Sequence, residues 1–211
     1  MIRFVTVFIA LAGIFAAQPA RAEPLRILAL GDSLTAGYQL PPEAAFPVQL
    51  EAALKARGHD AIVINAGVSG DTTAAGLARL DWSLGEGADA VIVELGANDA
   101  LRGLPTASAR ANLDKIVASL SERGIPVLLA GIAAPRNMGD EYVAEFERMY
   151  AEIAAEHDAI LYPNFLEGIP ISAETVLPDG IHPTQKGVAI IVDGILPKVE
   201  ELIERAAAAR G

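Results

Sequence analysis

Short apolar segments alternate along the chain with longer segments in which apolar residues recur at helical spacing. The short segments are rich in Val, Ile and Leu and show little alternation between apolar and polar residues, which is typical of strands covered on both faces. They predict a strand at each of residues 26–30, 61–65, 90–95, 126–131 and 159–162.

The longer segments predict amphipathic helices, because their apolar residues recur three or four positions apart. Gly58 is placed to end the first helix, Pro197 is expected to bend or break the last one, and residues 205–211 are expected to fray. The apolar faces are Phe46, Leu50 and Leu54; Leu77, Leu80 and Leu84; Leu113, Ile116, Val117 and Leu120; Phe146, Met149, Tyr150 and Ile153; and Val188, Val192, Ile195, Val199 and Leu202.

This alternation of strands and helices predicts a three-layer α/β/α fold with a central parallel sheet of about five strands. We interpret residues 23–211 as one domain, because no internal repeat or long linker interrupts them. Ligands bind an open parallel sheet beyond the carboxyl ends of its strands. The loops that follow the strands are therefore where we expect the chemistry.

Residues 1–22 have the features of a secretory signal peptide. Arg3 precedes an uncharged apolar stretch that ends in Ala20-Arg21-Ala22, and this order of charge, apolar core and small residues is what signal peptidases cleave. A membrane anchor is the alternative, but the stretch is near the lower length limit for a span and contains Gln18 and Pro19. We expect cleavage after this site, export to the periplasm or beyond the cell, and no stable membrane anchor afterwards.

The charge balance and the cysteine count exclude several classes of protein. The net charge is −11, and it becomes −13 without the leader, which contains two arginines and no acidic residue. Such a chain is repelled by nucleic acid and by anionic membrane surfaces. The chain has no cysteine, which excludes disulfide bonds, thiolate catalysis and cysteine-based zinc sites.

Four loops combine glycine with compact polar residues. They are residues 31–33 after the first strand, 66–72 after the second, 96–103 after the third and 178–183 before the last helix. Turn formation explains any one of these loops by itself. Four such loops at one edge of a sheet indicate a shared site.

Ser33 is either a helix cap at the end of the first strand or a nucleophile. A serine hydroxyl needs an adjacent base, usually histidine, and the base needs a partner that orients it. His59 precedes the second strand and His157 ends a helix, so both have structural explanations. His182 follows Asp179 by three residues, and a short turn would bring that carboxylate to the imidazole. A solvated loop histidine is the alternative for His182.

Ester cleavage also needs hydrogen-bond donors for the developing oxyanion. The Ser33 amide is one candidate, because amides at the start of a helix lack intrahelical partners. The Gly70 amide and the Asn98 side-chain amide are the others, with a turn glycine and a loop-capping amide as their alternative roles. Both residues lie in loops that follow strands, which favours a joint functional interpretation.

The four loops resemble the conserved blocks of the SGNH, or GDSL, hydrolase superfamily. The matching residues are Gly31-Asp32-Ser33-Leu34, Gly70, Gly96-Ala97-Asn98-Asp99 and Asp179-Gly180-Ile181-His182, in the family's order and across nearly the whole mature chain. The segments VSGDT, GLARL, VELGANDALRG and DGIHP are most similar to a periplasmic subgroup that comprises thioesterase I/protease I/lysophospholipase L1 and bacterial arylesterases.

This resemblance implies a flavodoxin-like SGNH fold and a serine esterase that works through an acyl-enzyme. It implies Ser33 as nucleophile, His182 as base and Asp179 as its partner, with the amides of Ser33, Gly70 and Asn98 as oxyanion donors. The family uses no metal and no organic cofactor, so none is expected. The expected partner is a small acyl ester or thioester, such as an aryl ester or a lysophospholipid, and the oligomeric state stays open.

An apolar groove for the acyl group is expected along the same sheet edge. Carbohydrate O-deacetylation is a second enzymatic possibility, for which a more open and polar groove is expected. Non-catalytic binding of lipids or acyl ligands is an alternative of a different class. Retention of nucleophile, base and donors together argues against non-catalytic binding. The candidate substrate-binding residues are Asp99, Leu101, Leu104, Ile132, Met138 and Phe165.

Overall fold

One parallel sheet forms the centre of the computed structural model, which describes residues 23–85 and 87–210; the predicted leader lies outside these residues. The strand order β2-β1-β3-β4-β5 is that of flavodoxin-like doubly wound sheets. The predicted strands and the α/β fold are therefore confirmed. The strands are β1 Leu25–Gly31, β2 Ala61–Gly67, β3 Ala90–Glu94, β4 Val127–Ala130 and β5 Ile160–Tyr162.

Helices cover both faces of the sheet. α2 packs against α8 in one layer, and α6 packs against α3 and α7 in the other. Every residue of β3 and β4 is buried between these layers, which explains their unbroken apolar sequences. The helices are α1 Ser33–Ala36, α2 Phe46–Ala56, α3 Thr73–Ala78, α4 Leu80–Leu84, α5 Ala97–Leu101, α6 Thr106–Glu122, α7 Asp140–Glu156 and α8 Gln185–Arg210, with 3₁₀ turns at Pro42–Ala44 and Arg136–Met138.

The strand register aligns the ends of four neighbouring strands, and so the starts of the loops that follow them. Gly31 at the end of β1 lies opposite Gly67 of β2 and Glu94 of β3, and Glu94 lies opposite Ala130 of β4. The loops that follow β1, β2, β3 and β4 therefore start side by side at the carboxyl edge of the sheet.

Two predicted helices differ in the structure. The helix expected around Leu77, Leu80 and Leu84 is divided at Arg79 into α3 and α4. The Arg79 guanidinium donates to the Gly31 carbonyl at 2.9 Å and to Asp71 Oδ2 at 2.6 Å, and this long-range anchoring is invisible to local periodicity. α8 continues unbroken through Pro197, because buried side chains on both sides of the proline hold the helix on the sheet.

The chain end is also better ordered than expected. Residues 205–210 remain helical, and the Arg210 guanidinium donates to both Asp89 carboxylate oxygens and to the carbonyls of Glu23 and Pro24. This Arg210 clamp lies before β1 and β3, at the amino edge of the sheet. None of the helices in the described ranges is both long enough and apolar enough to cross a membrane.

Candidate active site

Ser33 lies on a sharp turn between β1 and α1. Asp32 caps α1, since its Oδ1 accepts the Leu34 N–H at 3.0 Å. Gly31 is needed at this turn, because a Cβ there would lie 2.0 Å from Thr35 Oγ1. The end of a buried strand followed at once by a capped helix thus places the Ser33 side chain at the carboxyl edge of the sheet.

Ser33, His182 and Asp179 form a continuous chain of hydrogen-bonding groups. Ser33 Oγ lies 2.9 Å from His182 Nε2, and His182 Nδ1 lies 2.6 Å from Asp179 Oδ2. With Nδ1 protonated toward the carboxylate, Nε2 is free to accept the hydroxyl proton. The three residues stand in the relation that a nucleophile, a base and an orienting acid require.

The turn between Asp179 and His182 is built by the aspartate itself. Asp179 Oδ1 accepts the N–H groups of Ile181 and His182, each at 3.0 Å, so one oxygen shapes the turn while the other meets the imidazole. These backbone hydrogen bonds, that from His182 first, lower the pKa of Asp179 to about 2. The carboxylate is therefore charged at neutral pH and stabilises an imidazolium opposite it.

Tyr38 contacts the base from one side. Its ring lies 4.5 Å from the His182 ring, centroid to centroid, at an angle of 39°. Sequence reasoning missed this residue, because a tyrosine beyond a short helix carries no recognisable signal.

Gly70 and Asn98 line the same cleft as Ser33. Gly70 has a φ of +89°, in the left-handed region that favours glycine. Its carbonyl accepts a hydrogen bond of 2.7 Å from Arg102 Nη2, which links the loop after β2 to the loop after α5. Asn98 Nδ2 donates to Asp32 Oδ2 at 3.0 Å, which leaves its second amide proton for another acceptor.

Two buried carboxyl groups lie beneath Ser33. Glu94 Oε2 accepts the Thr35 hydroxyl at 2.8 Å and the Asp32 N–H at 3.4 Å, while Glu94 Oε1 is buried without a partner among the described residues. Burial first, and the neighbouring Asp32 second, raise the pKa of Glu94 well above its ordinary range. Burial likewise raises the pKa of Asp32 to about 6, against the hydrogen bonds from Leu34 and Asn98.

The cleft beside Ser33, which we term the catalytic cleft, has a volume of about 390 Å³. Of the predicted substrate-binding residues, Leu101 and Ile132 line it. Sequence reasoning did not name Tyr38 or Pro135, because an aromatic or apolar side chain in the segments after α1 and β4 carries no catalytic pattern by itself. Its lining residues are Ser33, Leu34, Tyr38, Ser69, Gly70, Ala97, Asn98, Ala100, Leu101, Ile132, Ala133, Pro135, Leu166, Ile181 and His182.

Four predicted substrate-binding residues do not line the catalytic cleft. Asp99 is buried, and its carboxylate accepts the N–H and the hydroxyl of Thr73, each within 2.8 Å. Phe165 is fully buried and packs edge-to-face on Phe46. Leu104 and Met138 lie farther along the surface, where Tyr142 donates to the Leu104 carbonyl and Met138 approaches Gly103.

The remaining histidines lie away from the catalytic cleft. His59 Nε2 is 3.1 Å from Glu200, and His157 Nε2 is 2.7 Å from Asp114. In the described part of the chain, Asp114, Glu156 and His157 form a group whose ligand atoms lie within 4.8 Å of one another. Arg110 already donates to Glu156 at 2.6 Å, so this group forms a mixed ion-pair network.

The chain matches proteins of known family. Residues 29–190 match the GDSL-like Lipase/Acylhydrolase family. An arylesterase of Vibrio mimicus is 42% identical over 159 residues, covering 75% of this chain and 80% of the relative. Esterase TesA of Pseudomonas aeruginosa is 37% identical over 194 residues, covering 92% and 96%.

A solved structure agrees with these matches. The crystal structure of AlinE4, an SGNH-hydrolase family esterase, is 45% identical, superposes with a TM-score of 0.73, and covers 86% of this chain and 98% of its own. With the family matched over most of its length, this chain belongs to the GDSL-like lipase/acylhydrolase family and is an ester hydrolase.

Proposed function

We propose that Ser33, His182 and Asp179 are the catalytic triad of this esterase. The observation that carries the proposal is the unbroken contact from Ser33 Oγ through both His182 nitrogens to Asp179 Oδ2, with distances of 2.9 and 2.6 Å. Such a chain has a direct chemical use, because the imidazole takes a proton from the hydroxyl while the carboxylate stabilises the resulting charge.

The first half of the reaction forms an acyl-enzyme. Ser33 Oγ attacks the carbonyl carbon of the ester as its proton passes to His182 Nε2. The C–O bond to the alcohol breaks, and His182 returns the proton to the leaving oxygen. In the second half, water attacks the carbonyl carbon of the acyl-enzyme as His182 takes its proton; the bond from this carbon to Ser33 Oγ then breaks, and His182 returns the proton to Ser33 Oγ, which releases the acid.

The Ser33 and Gly70 amides and the Asn98 side chain are the proposed oxyanion donors. Asp32 supports this role for Asn98, since its Oδ2 accepts one Asn98 amide proton and thereby orients the group. Arg102 supports it for Gly70 by binding the Gly70 carbonyl. Removal of one such donor typically raises the barrier by about 2.7–4 kcal/mol.

The lining of the catalytic cleft favours apolar acyl groups. Leu101, Ile132 and Pro135 line it on the side of α5 and the β4 loop. We propose acyl and aryl esters as substrates, with thioesters and lysophospholipids as further members of the class.

We also propose that residues 1–22 are a cleaved leader and that the mature enzyme, a single domain from residue 23, acts in the periplasm.

Substitution of Ser33 tests the triad. We expect Ser33→Ala to lower kcat for p-nitrophenyl butyrate by about 10³-fold or more, because the variant loses the hydroxyl that lies 2.9 Å from His182 Nε2. The variant should unfold at the same urea concentration as the wild type. Ser172→Ala, at an exposed serine outside the catalytic cleft, is the matched control and should keep wild-type turnover. Turnover by Ser33→Ala at the wild-type rate would reject the assignment.

A further inference from the structure

The proposed mechanism fixes where the alcohol part of the substrate must lie. His182 Nε2 is 2.9 Å from Ser33 Oγ, and the same nitrogen must later reach the leaving oxygen. The oxyanion faces Gly70 and Asn98. The leaving group therefore lies on the His182 side of the reacting carbon, and the acyl chain takes the remaining direction.

A second cleft lies on that side. Its volume is about 200 Å³, and it shares Leu166 and Ile181 with the catalytic cleft, so the two clefts are adjacent. Three of its residues, Gly180, Ile181 and Pro183, flank His182 in the sequence. All its lining residues are apolar or glycine, namely Leu166, Ile169, Ile171, Val176, Gly180, Ile181 and Pro183.

The second cleft exposes apolar side chains to an unusual degree. Ile171 is 92% exposed and Ile181 is 44% exposed. Contiguous apolar exposure of this kind marks binding surfaces on soluble proteins. Tyr38, also partly exposed, presents its ring beside His182 in the catalytic cleft.

The part of the catalytic cleft on the side of the proposed oxyanion donors is suited to the acyl chain. Leu101 of α5 and Ile132 and Pro135 of the β4 loop line it. None of these three residues belongs to the His182 loop or to the second cleft. The apolar residues on the side of the proposed oxyanion donors are thus separate from those of the second cleft, which lies on the side of His182.

We propose that the second cleft is a leaving-group subsite that binds an apolar alcohol moiety, an aromatic ring or a short alkyl chain. An apolar cavity of about 150 Å³ holds one benzene molecule, so a cleft of about 200 Å³ that is open to solvent at Ile171 has room for the aromatic group of an aryl alcohol. This inference rests on the proposed function, because it uses His182 as the proton donor to the leaving oxygen.

The test varies the alcohol while the acyl group stays the same. Methyl butyrate and 1-naphthyl butyrate give the same butyryl-enzyme, so kcat/KM compares binding and acylation alone. For Ile171→Ser, we expect the naphthyl-to-methyl ratio of kcat/KM to fall about threefold to tenfold relative to the wild type, because apolar contact with the ring is lost. Comparison with the wild type cancels the greater intrinsic reactivity of aryl esters.

Two matched variants complete the experiment. Trp82→Ser removes an apolar side chain that is 80% exposed on α4, away from both clefts, and should leave the ratio unchanged. Leu101→Ser should instead lower the methyl octanoate to methyl butyrate ratio and leave the naphthyl-to-methyl ratio unchanged.

The outcomes separate the subsite from the proposed function. An unchanged naphthyl-to-methyl ratio in Ile171→Ser overturns the subsite. A fall in the methyl octanoate to methyl butyrate ratio of kcat/KM in Ile171→Ser also overturns the subsite, because the second cleft would then hold the acyl chain. Failure of the triad is recognised independently, as wild-type hydrolysis of naphthyl butyrate by Ser33→Ala.

Discussion

Glu94 and Asp32 bring two acidic side chains together in the protein interior, directly behind Ser33. Ionisation of both carboxyl groups there has a high free-energy cost, because burial and mutual repulsion both oppose the charged forms. The Thr35 hydroxyl donates to Glu94, so Glu94 also stabilises the turn that carries Ser33. A neutral Glu94 with a charged Asp32 satisfies these contacts best, since Asp32 accepts hydrogen bonds from Leu34 and Asn98.

Replacement of Glu94 by glutamine should change how stability depends on pH. The raised pKa values of Glu94 and Asp32 mean that the folded state retains protons which the unfolded chain releases near pH 4. The free energy of unfolding therefore falls as pH rises through about 6. We expect Glu94→Gln to reduce the loss between pH 5 and pH 8 by about 1–3 kcal/mol, measured by urea denaturation.

The amide oxygen of the glutamine can still accept the Thr35 hydroxyl, so kcat should stay within about tenfold of wild type. Glu122→Gln, at an exposed position near the end of α6, serves as the control and should follow the wild-type pH dependence. A Glu94→Gln curve parallel to that of the wild type would contradict the buried carboxyl pair.

Residue types and their spacing were sufficient to single out Ser33, Asp179 and His182, which lie in contact in the structure. Asp179 and His182 are close in sequence, and Ser33 directly follows a predicted strand, at the edge of the sheet where ligands bind. Sequence reasoning did not identify Glu94, because in the sequence it resembles an ordinary polar residue at the end of an apolar strand. Its complete burial, and its hydrogen bond with the Thr35 hydroxyl of α1, depend on other elements, which no local pattern reveals.

At the scale of elements, Asp99 joins the two loops that carry the proposed donors. Its carboxylate accepts the Thr73 N–H and hydroxyl at the start of α3, while Asn98 precedes it on α5. The Thr73 hydroxyl in turn accepts the Asn112 amide from α6 at 3.1 Å. Asp99 is therefore a structural link below the catalytic cleft.

Loss of this link should affect both stability and chemistry. We expect Asp99→Ala to lower the free energy of unfolding by about 2–4 kcal/mol, because two buried donors lose a charged acceptor. We expect kcat to fall more than KM rises, since Asn98 loses its fixed position. Asp193→Ala, on the exposed face of α8, should change stability by no more than about 0.5 kcal/mol. Equal effects of the two substitutions would argue against a linking role for Asp99.

The prediction of Asp99 as a substrate-binding residue illustrates what element patterns miss. Its position beside Asn98 suggested the cleft, but the short α5, expected as loop, turns its side chain toward α3. The strands and long helices were predictable because burial of whole faces produces periodic sequences. The division between α3 and α4 and the short helix α5 were not, because Arg79 and Asp99 position them through distant partners.

At the scale of the whole molecule, the proposed leader makes a prediction about the mature chain. If residues 1–22 direct export, the protein recovered from the periplasm of a producing bacterium should begin at Glu23, because cleavage follows the Ala20-Arg21-Ala22 site. Mass spectrometry of the intact protein measures this directly. A variant with Ala20→Leu and Ala22→Leu should accumulate at full length. A wild-type chain that still carries Met1 would favour the membrane-anchor alternative.

The Arg210 clamp gives the molecule a defined orientation with respect to anything attached to it. By holding Glu23 and Pro24 against the end of α8, it brings residues 23 and 210 together at the amino edge of the sheet, while Ser33 lies at the carboxyl edge. A lipid bilayer, a resin bead or a fusion partner joined at residue 23 or residue 210 would thus lie behind the enzyme, and its substrates would arrive unobstructed from the front.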